Sequence, residues 1–123
     1  MIVGAAVVDL HVHGSQSLKQ KRGVVRSIVQ RVRNRFNVSV AEIGGQDTWQ
    51  RAVLGIVTTG YDRRAVRGVL DRALVFIEDL HLAEVLDSDV ELLEMCYEGA
   101  PRDDDEDDEA GAGEPAPDDE PEG

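Results

Sequence analysis

Cysteine and aromatic residues are scarce in this chain. Cys96 is the sole cysteine, which excludes an internal disulfide and a cysteine-based zinc site. Its ordinary role would be that of a small packed residue. One Trp, two Tyr and two Phe are too few to stack successive bases on a sheet, so sequence-specific reading of single strands is not supported. No stretch approaches the roughly 20 apolar residues of a membrane span. Glycines Gly14, Gly44 and Gly45 sit at turns, without the spacing of a phosphate loop. Two further absences are local. No acidic residue lies between Leu10 and Ala41, and no large apolar residue follows position 99.

The acid-free stretch holds seven bases: Lys19, Lys21, Arg22, Arg26, Arg31, Arg33 and Arg35. The 123-residue chain carries a net charge of −12, but residues 1–100 contribute −1 and residues 101–123 contribute −11. Low pI is thus a property of the tail. A positive surface on a near-neutral body binds phosphates, anionic partners or the chain's own acids.

Residues 1–99 suffice for one small domain with one core, and 100–123 read as a disordered acidic tail of Asp, Glu, Gly, Ala and Pro. Ile2, Ala6, Val8, Leu10 and Val12 alternate with Val3, Ala5, Val7, Asp9, His11 and His13, which predicts a strand over 2–13 that leaves the core at its end. This apolar start lacks the basic leader of a signal peptide, so cytoplasmic residence is expected. Ser15 or Ser17 caps a helix reaching about Phe36, with Leu18, Val25, Ile28, Val29, Val32 and Phe36 as its buried stripe. At 100° per residue, Lys19, Arg22, Arg26, Gln30 and Arg33 cluster within about 80° on another face. Lys21, Arg31 and Arg35 flank the apolar stripe. Gly23 weakens the helix by roughly 0.5–1 kcal/mol relative to Ala.

Residues 37–43 and 51–59 read as two strands joined by the Gly44-Gly45-Gln46-Asp47 turn. Asp62 caps a second helix whose stripe is Val66, Val69, Leu70, Ala73, Ile77 and Leu80. Residues 84–98 form a last extended segment, interrupted by a turn or bulge at Asp87-Ser88-Asp89. The order is βαββαβ. It predicts an α+β, ferredoxin-like sandwich with an antiparallel sheet and both helices on one face. Val3, Ala5 and Val7 then line the other face, where exposed apolar residues call for a second copy and a homodimer.

Three constellations are candidates for function. The first is the basic stripe, with Lys19, Arg22, Arg26 and Arg33 as contacts to RNA phosphates; such binding is backbone-directed and salt-sensitive. The second is Trp49 with Arg51, an aromatic beside an arginine as protein interfaces use them; the alternative is that Trp49 packs over the sheet edge while Asp47 and Arg51 close the turn. The third is Asp9, His11 and His13 on one strand face. The segment is similar to the first-strand metal motif of amidohydrolases, but those enzymes draw further ligands from a large barrel for which this chain has no room. It is therefore taken as a polar strand end, with metal binding through His11 and His13 the third-ranked function. Glu42 and Asp47 have no nucleophile between them. No catalytic residue, cofactor, metal or small-molecule substrate is expected, and the protein is expected not to be an enzyme. The acidic tail aids solubility or folds back on the basic helix and competes with RNA.

Three blocks in order, Ser17-Leu18-Lys19-Gln20-Lys21-Arg22, Asn37-Val38-Ser39-Val40-Ala41-Glu42 and Asp47-Thr48-Trp49-Gln50-Arg51-Ala52, resemble the YlxP-like family, a bacterial family of unknown function. The resemblance covers residues 1–98 and omits the tail. It implies a ferredoxin-like fold, in agreement with the element order. Genes of that family lie among those for translation and ribosome maturation, including the ribosome-binding factor RbfA, which implies a partner in RNA or a ribosomal subunit. It assigns no catalytic residues.

Overall fold

A computed structural model describes residues 1–99. The elements follow the predicted order: β1 (Ile2–His11), α1 (Leu18–Arg35), β2 (Ser39–Gly44), β3 (Arg51–Gly60), α2 (Arg63–Leu80) and β4 (Glu84–Glu94). The expected acidic tail lies outside the described residues.

Every neighbouring pair of strands is antiparallel, in the order β2-β3-β1-β4. The period of two sorts β1 cleanly. Ile2, Gly4, Ala6, Val8, Leu10 and Val12 are buried, whereas Ala5 and Val7 are exposed on the opposite side. The buried side meets Val40, Ala52, Leu54 and Ile56 from β2 and β3, Val25, Ile28 and Val32 from α1, and Leu70 and Ile77 from α2. Both helices therefore cover one sheet face. Each fully buried Leu or Ile here stabilises the fold by about 1.5–3 kcal/mol, and truncating Leu54 to Ala would cost about 2–5 kcal/mol. Gly4 lets α2 settle on the central strand: a Cβ there would stand 2.6 Å from Val66 Cγ1 and 2.8 Å from Leu70 Cδ1.

Helix α1 starts where the sequence places it. Ser17 is the N-cap, and its hydroxyl accepts from the Gln20 amide at 3.1 Å. Gln20 reaches back so that its Oε1 accepts from the Gln16 amide at 2.7 Å, a variant of the reciprocal capping box. The alternative cap, Ser15, is buried and donates to the Ser17 carbonyl instead. Asp62 caps α2 by accepting from the Ala65 amide at 3.0 Å. His81 ends α2 in the left-handed region at φ 56°, a conformation that His tolerates better than most non-glycine residues.

Strand β4 departs from expectation. It runs straight through Asp87-Ser88-Asp89, and the irregularity falls one residue earlier. Asp9 pairs with Asp87, but Leu10 pairs with Val85, so Leu86 is the extra residue of a bulge. The reason is packing: the bulge turns Val85 onto the core beside Leu10 and leaves Leu86 outside. The strand ends at Glu94, short of the expected 98. Cys96 lies beyond it and is exposed, which corrects its reading as a packed residue; past the last ladder pair no element among the described residues covers it.

Candidate functional site

The basic run divides by environment. Lys19, Arg22 and Arg26 are exposed on the outer face of α1. Among the described residues none of them has an ion-pair partner or a side-chain hydrogen bond. Arg33 is exposed too, but its Nη2 donates to the Val40 carbonyl at 3.0 Å, tying the last turn to β2. Arg31 donates to the Ser27 hydroxyl, and the Arg35 guanidinium lies 5.3 Å from the Phe76 ring centre.

Lys21 is the surprise. Expected at the flank of the apolar stripe, it is wholly buried, at 0% exposure. Its Nζ donates to Glu42 Oε2 and to the Gly45 carbonyl, both at 2.8 Å. A buried ammonium needs such partners because losing water is costly. Gly45 has φ +77°, and a Cβ there would come within 2.7 Å of the Arg51 carbonyl oxygen. The same Gly45 carbonyl accepts from the Thr48 amide and hydroxyl. Lys21 thus pins the turn that presents Trp49 against α1. Trp49 itself is 54% exposed, so it does not pack away over the sheet edge. Sequence reasoning missed the Lys21–Glu42 pair, although both residues lie in the quoted blocks.

The open sheet face has an apolar middle and a polar end. Val7, Ile43, Val57 and Leu93 are exposed. At the polar end, Arg51 does not close its own turn with Asp47. It donates from Nε and Nη2 to the two Asp9 oxygens at 3.0 and 2.9 Å. This hydrogen-bonded fork holds the Asp9 carboxyl below its ordinary pKa, with the arginine's charge adding to the effect and burial opposing it, and it raises Arg51 in turn. Beside this pair, His13 Nε2 lies 2.6 Å from Glu84 Oε1, and His11 Nδ1 lies 4.0 Å from the same oxygen. The two imidazole rings meet edge to face with centres 4.1 Å apart. The sequence brought Asp9, His11 and His13 to one face; Glu84 came in only through strand register.

Helices on one face of a four-stranded antiparallel sheet, wound βαββαβ, make this a ferredoxin-like α+β protein. No helix among the described residues is long and apolar enough to cross a membrane. Residues 3–90 match the family described as protein of unknown function, DUF503, and the chain belongs to that family. It is similar to the uncharacterized protein YlxP of Bacillus subtilis strain 168, 43% identical over 77 residues, covering 63% of this chain and 84% of that one. Among solved structures, the de novo designed protein Foldit4 has a TM-score of 0.46 at 14% identity, over 78% of this chain and 100% of that one. SnoaB, a cofactor-independent oxygenase from Streptomyces nogalater, has a TM-score of 0.44 at 16% identity, over 77% and 94%. At these values neither structural likeness bears on function.

Proposed function

We propose that this protein is a non-enzymatic, cytoplasmic RNA-binding protein that docks on RNA, or on a ribosomal subunit, through the outer face of α1. One observation carries the reading: Lys19, Arg22 and Arg26 are exposed, clustered and without carboxylate partners among the described residues. Cations that serve the fold are paired. Unpaired ones that crowd one face repel each other unless an anion spreads among them. With Arg33 the face spans about 21 Å of helix, room for several phosphates. Trp49, on the turn that Lys21 holds, and Arg51, bridged to Asp9 on the open sheet face, are the contacts of the alternative reading, a protein-interaction module.

Charge reversal tests it. Binding of full-length protein to purified ribosomal subunits and to ribosomal RNA is measured across a salt series. Arg22→Glu with Arg26→Glu should lower affinity roughly tenfold or more, and flatten the log–log salt dependence by about 0.7 per lost phosphate contact. Equal affinity and slope in the double variant would refute the role. Removing residues 103–123 should raise affinity at low salt, because those residues carry 12 of the 25 acids and no base.

A second reading rests on the open sheet face. Val7, Ile43, Val57 and Leu93 present apolar surface that a second copy of this chain would cover, making a homodimer. Sedimentation of the wild type and of Val57→Glu separates the cases. A dimer dissociated by the charge supports the second copy, and a wild-type monomer at high concentration rejects it.

A further inference from the structure

His11, His13 and Glu84 stand together at the polar end of the open sheet, and none of them serves the RNA-binding face. One ligand atom from each lies within 4.8 Å of the other two. We propose that these three side chains bind a single divalent transition-metal ion of the zinc class.

The donor set fits such an ion. Two imidazoles and one carboxylate suit zinc, cobalt(II) or nickel(II), whereas magnesium and calcium prefer oxygen alone. Three protein ligands with water completing the shell is also the arrangement of open zinc sites. All three side chains are at least partly exposed, so an ion and its water can enter.

Backbone register builds the arrangement. His11 pairs across the ladder with Glu84, and His13 follows two residues on. The pairing depends on the bulge. In an uninterrupted ladder after the Asp9–Asp87 pair, Leu10 would face Leu86, His11 would face Val85, and Glu84 would fall opposite Val12 on the core side. The extra residue shifts parity by one. Glu84 therefore emerges on the open face beside His11. Bulges re-aim side chains in this way next to functional sites.

The neighbouring charges are compatible with a cation. Arg51 pairs with His11 on the other side of β1, but Asp9 holds its guanidinium in a two-point bridge. The Arg51 charge is thereby offset, and Asp9 is withdrawn from ligation. Glu84 supplies the net negative charge.

Ligand spacing needs only small rotations. Tetrahedral zinc, with bonds near 2.0–2.1 Å, sets its donors about 3.3 Å apart. His13 Nε2 and Glu84 Oε1, now at 2.6 Å, would separate, and His11 Nδ1 would close from 4.0 Å. The ion would take the place of the 2.6 Å hydrogen bond between His13 and Glu84, and His13 would face it with the Nε2 lone pair, leaving Nδ1 to carry the ring's N–H.

The test is a zinc titration of the full chain in excess magnesium, which occupies carboxylate clusters elsewhere. Histidine ring signals are followed by NMR, with cobalt(II) absorption as a second readout. One equivalent of zinc should shift both the His11 and His13 rings. The double variant His11→Ala with His13→Ala should lose stoichiometric binding while keeping the wild-type unfolding midpoint. Glu84→Gln should weaken binding roughly tenfold or more, since even outer-shell partners are worth that much. No ring shift at one equivalent overturns the site, as does stoichiometric binding that persists in the double variant or an unchanged affinity in Glu84→Gln.

Discussion

The outer face of α1 and the interior behind it carry the same kind of residue under opposite conditions. Lys19 and Lys21 are two positions apart, about 200° around the helix. Lys19 is exposed without a described partner, whereas Lys21 is fully buried and holds Glu42 and the Gly45 carbonyl. Burial makes partners obligatory, since an unpaired charge in a low dielectric is costly. Exposure makes them optional, because water already solvates the charge. A base whose partners belong to the fold is committed to stability, and a base left in water is available for binding.

Lys21 offers the largest contrast to break. Lys21→Ala leaves Glu42 half-stranded and takes one of three donors from the Gly45 carbonyl, and is expected to cost about 3 kcal/mol in urea unfolding. Lys21→Met keeps the apolar stem and should cost less. Lys19→Ala should leave stability within about 0.5 kcal/mol and act on RNA affinity alone. If the Lys21 and Lys19 variants unfold alike, the division of α1 into an interior and a binding face fails.

Gly23 sharpens the outer face. A Cβ there meets nothing within 4 Å, so no described neighbour requires a glycine. Gly23→Ala should raise stability by about 0.5–1 kcal/mol through helix propensity. Were an RNA backbone to press against α1 here, the same change would lower RNA affinity while raising the unfolding midpoint.

The smallest effect concerns the sheet end. Arg51 lowers the folded-state pKa of Asp9 from its ordinary value of 3.8. A depressed carboxyl contributes stability that is present above the unfolded value and lost as pH falls through the lower folded one. The wild type should therefore lose more stability than Arg51→Gln between about pH 5 and pH 2. Both residues reach solvent, so the difference is small and should shrink further in high salt. Parallel pH curves for the two proteins would mean that the bridge adds nothing.

Much of the fold was legible in local pattern. The alternation of Ile2 to Val12 marked both sheet faces, and Ser17 and Asp62 marked the helix starts, since caps and periodicity act over a few residues. The candidate sites were legible only in part. Lys19, Arg22 and Arg26 fell on one helix face by angle alone. Nothing local said that Arg51 would turn to Asp9, 42 positions away, instead of to Asp47. Likewise Glu84 reached His13 across 71 positions through a bulge displaced from the expected Asp87-Ser88-Asp89.

By itself, the sequence determined the α+β class, the element order, much of the apolar core and the acid-free basic helix, because each follows from near-neighbour periodicity and composition. Tertiary structure alone decided which charges are buried, which are paired and which polar groups share the sheet end. Those depend on strand register and on the closeness of α1 to the Gly45 turn. Register sums contacts over the whole core, and a single extra residue at Leu86 reverses the face on which Glu84 appears.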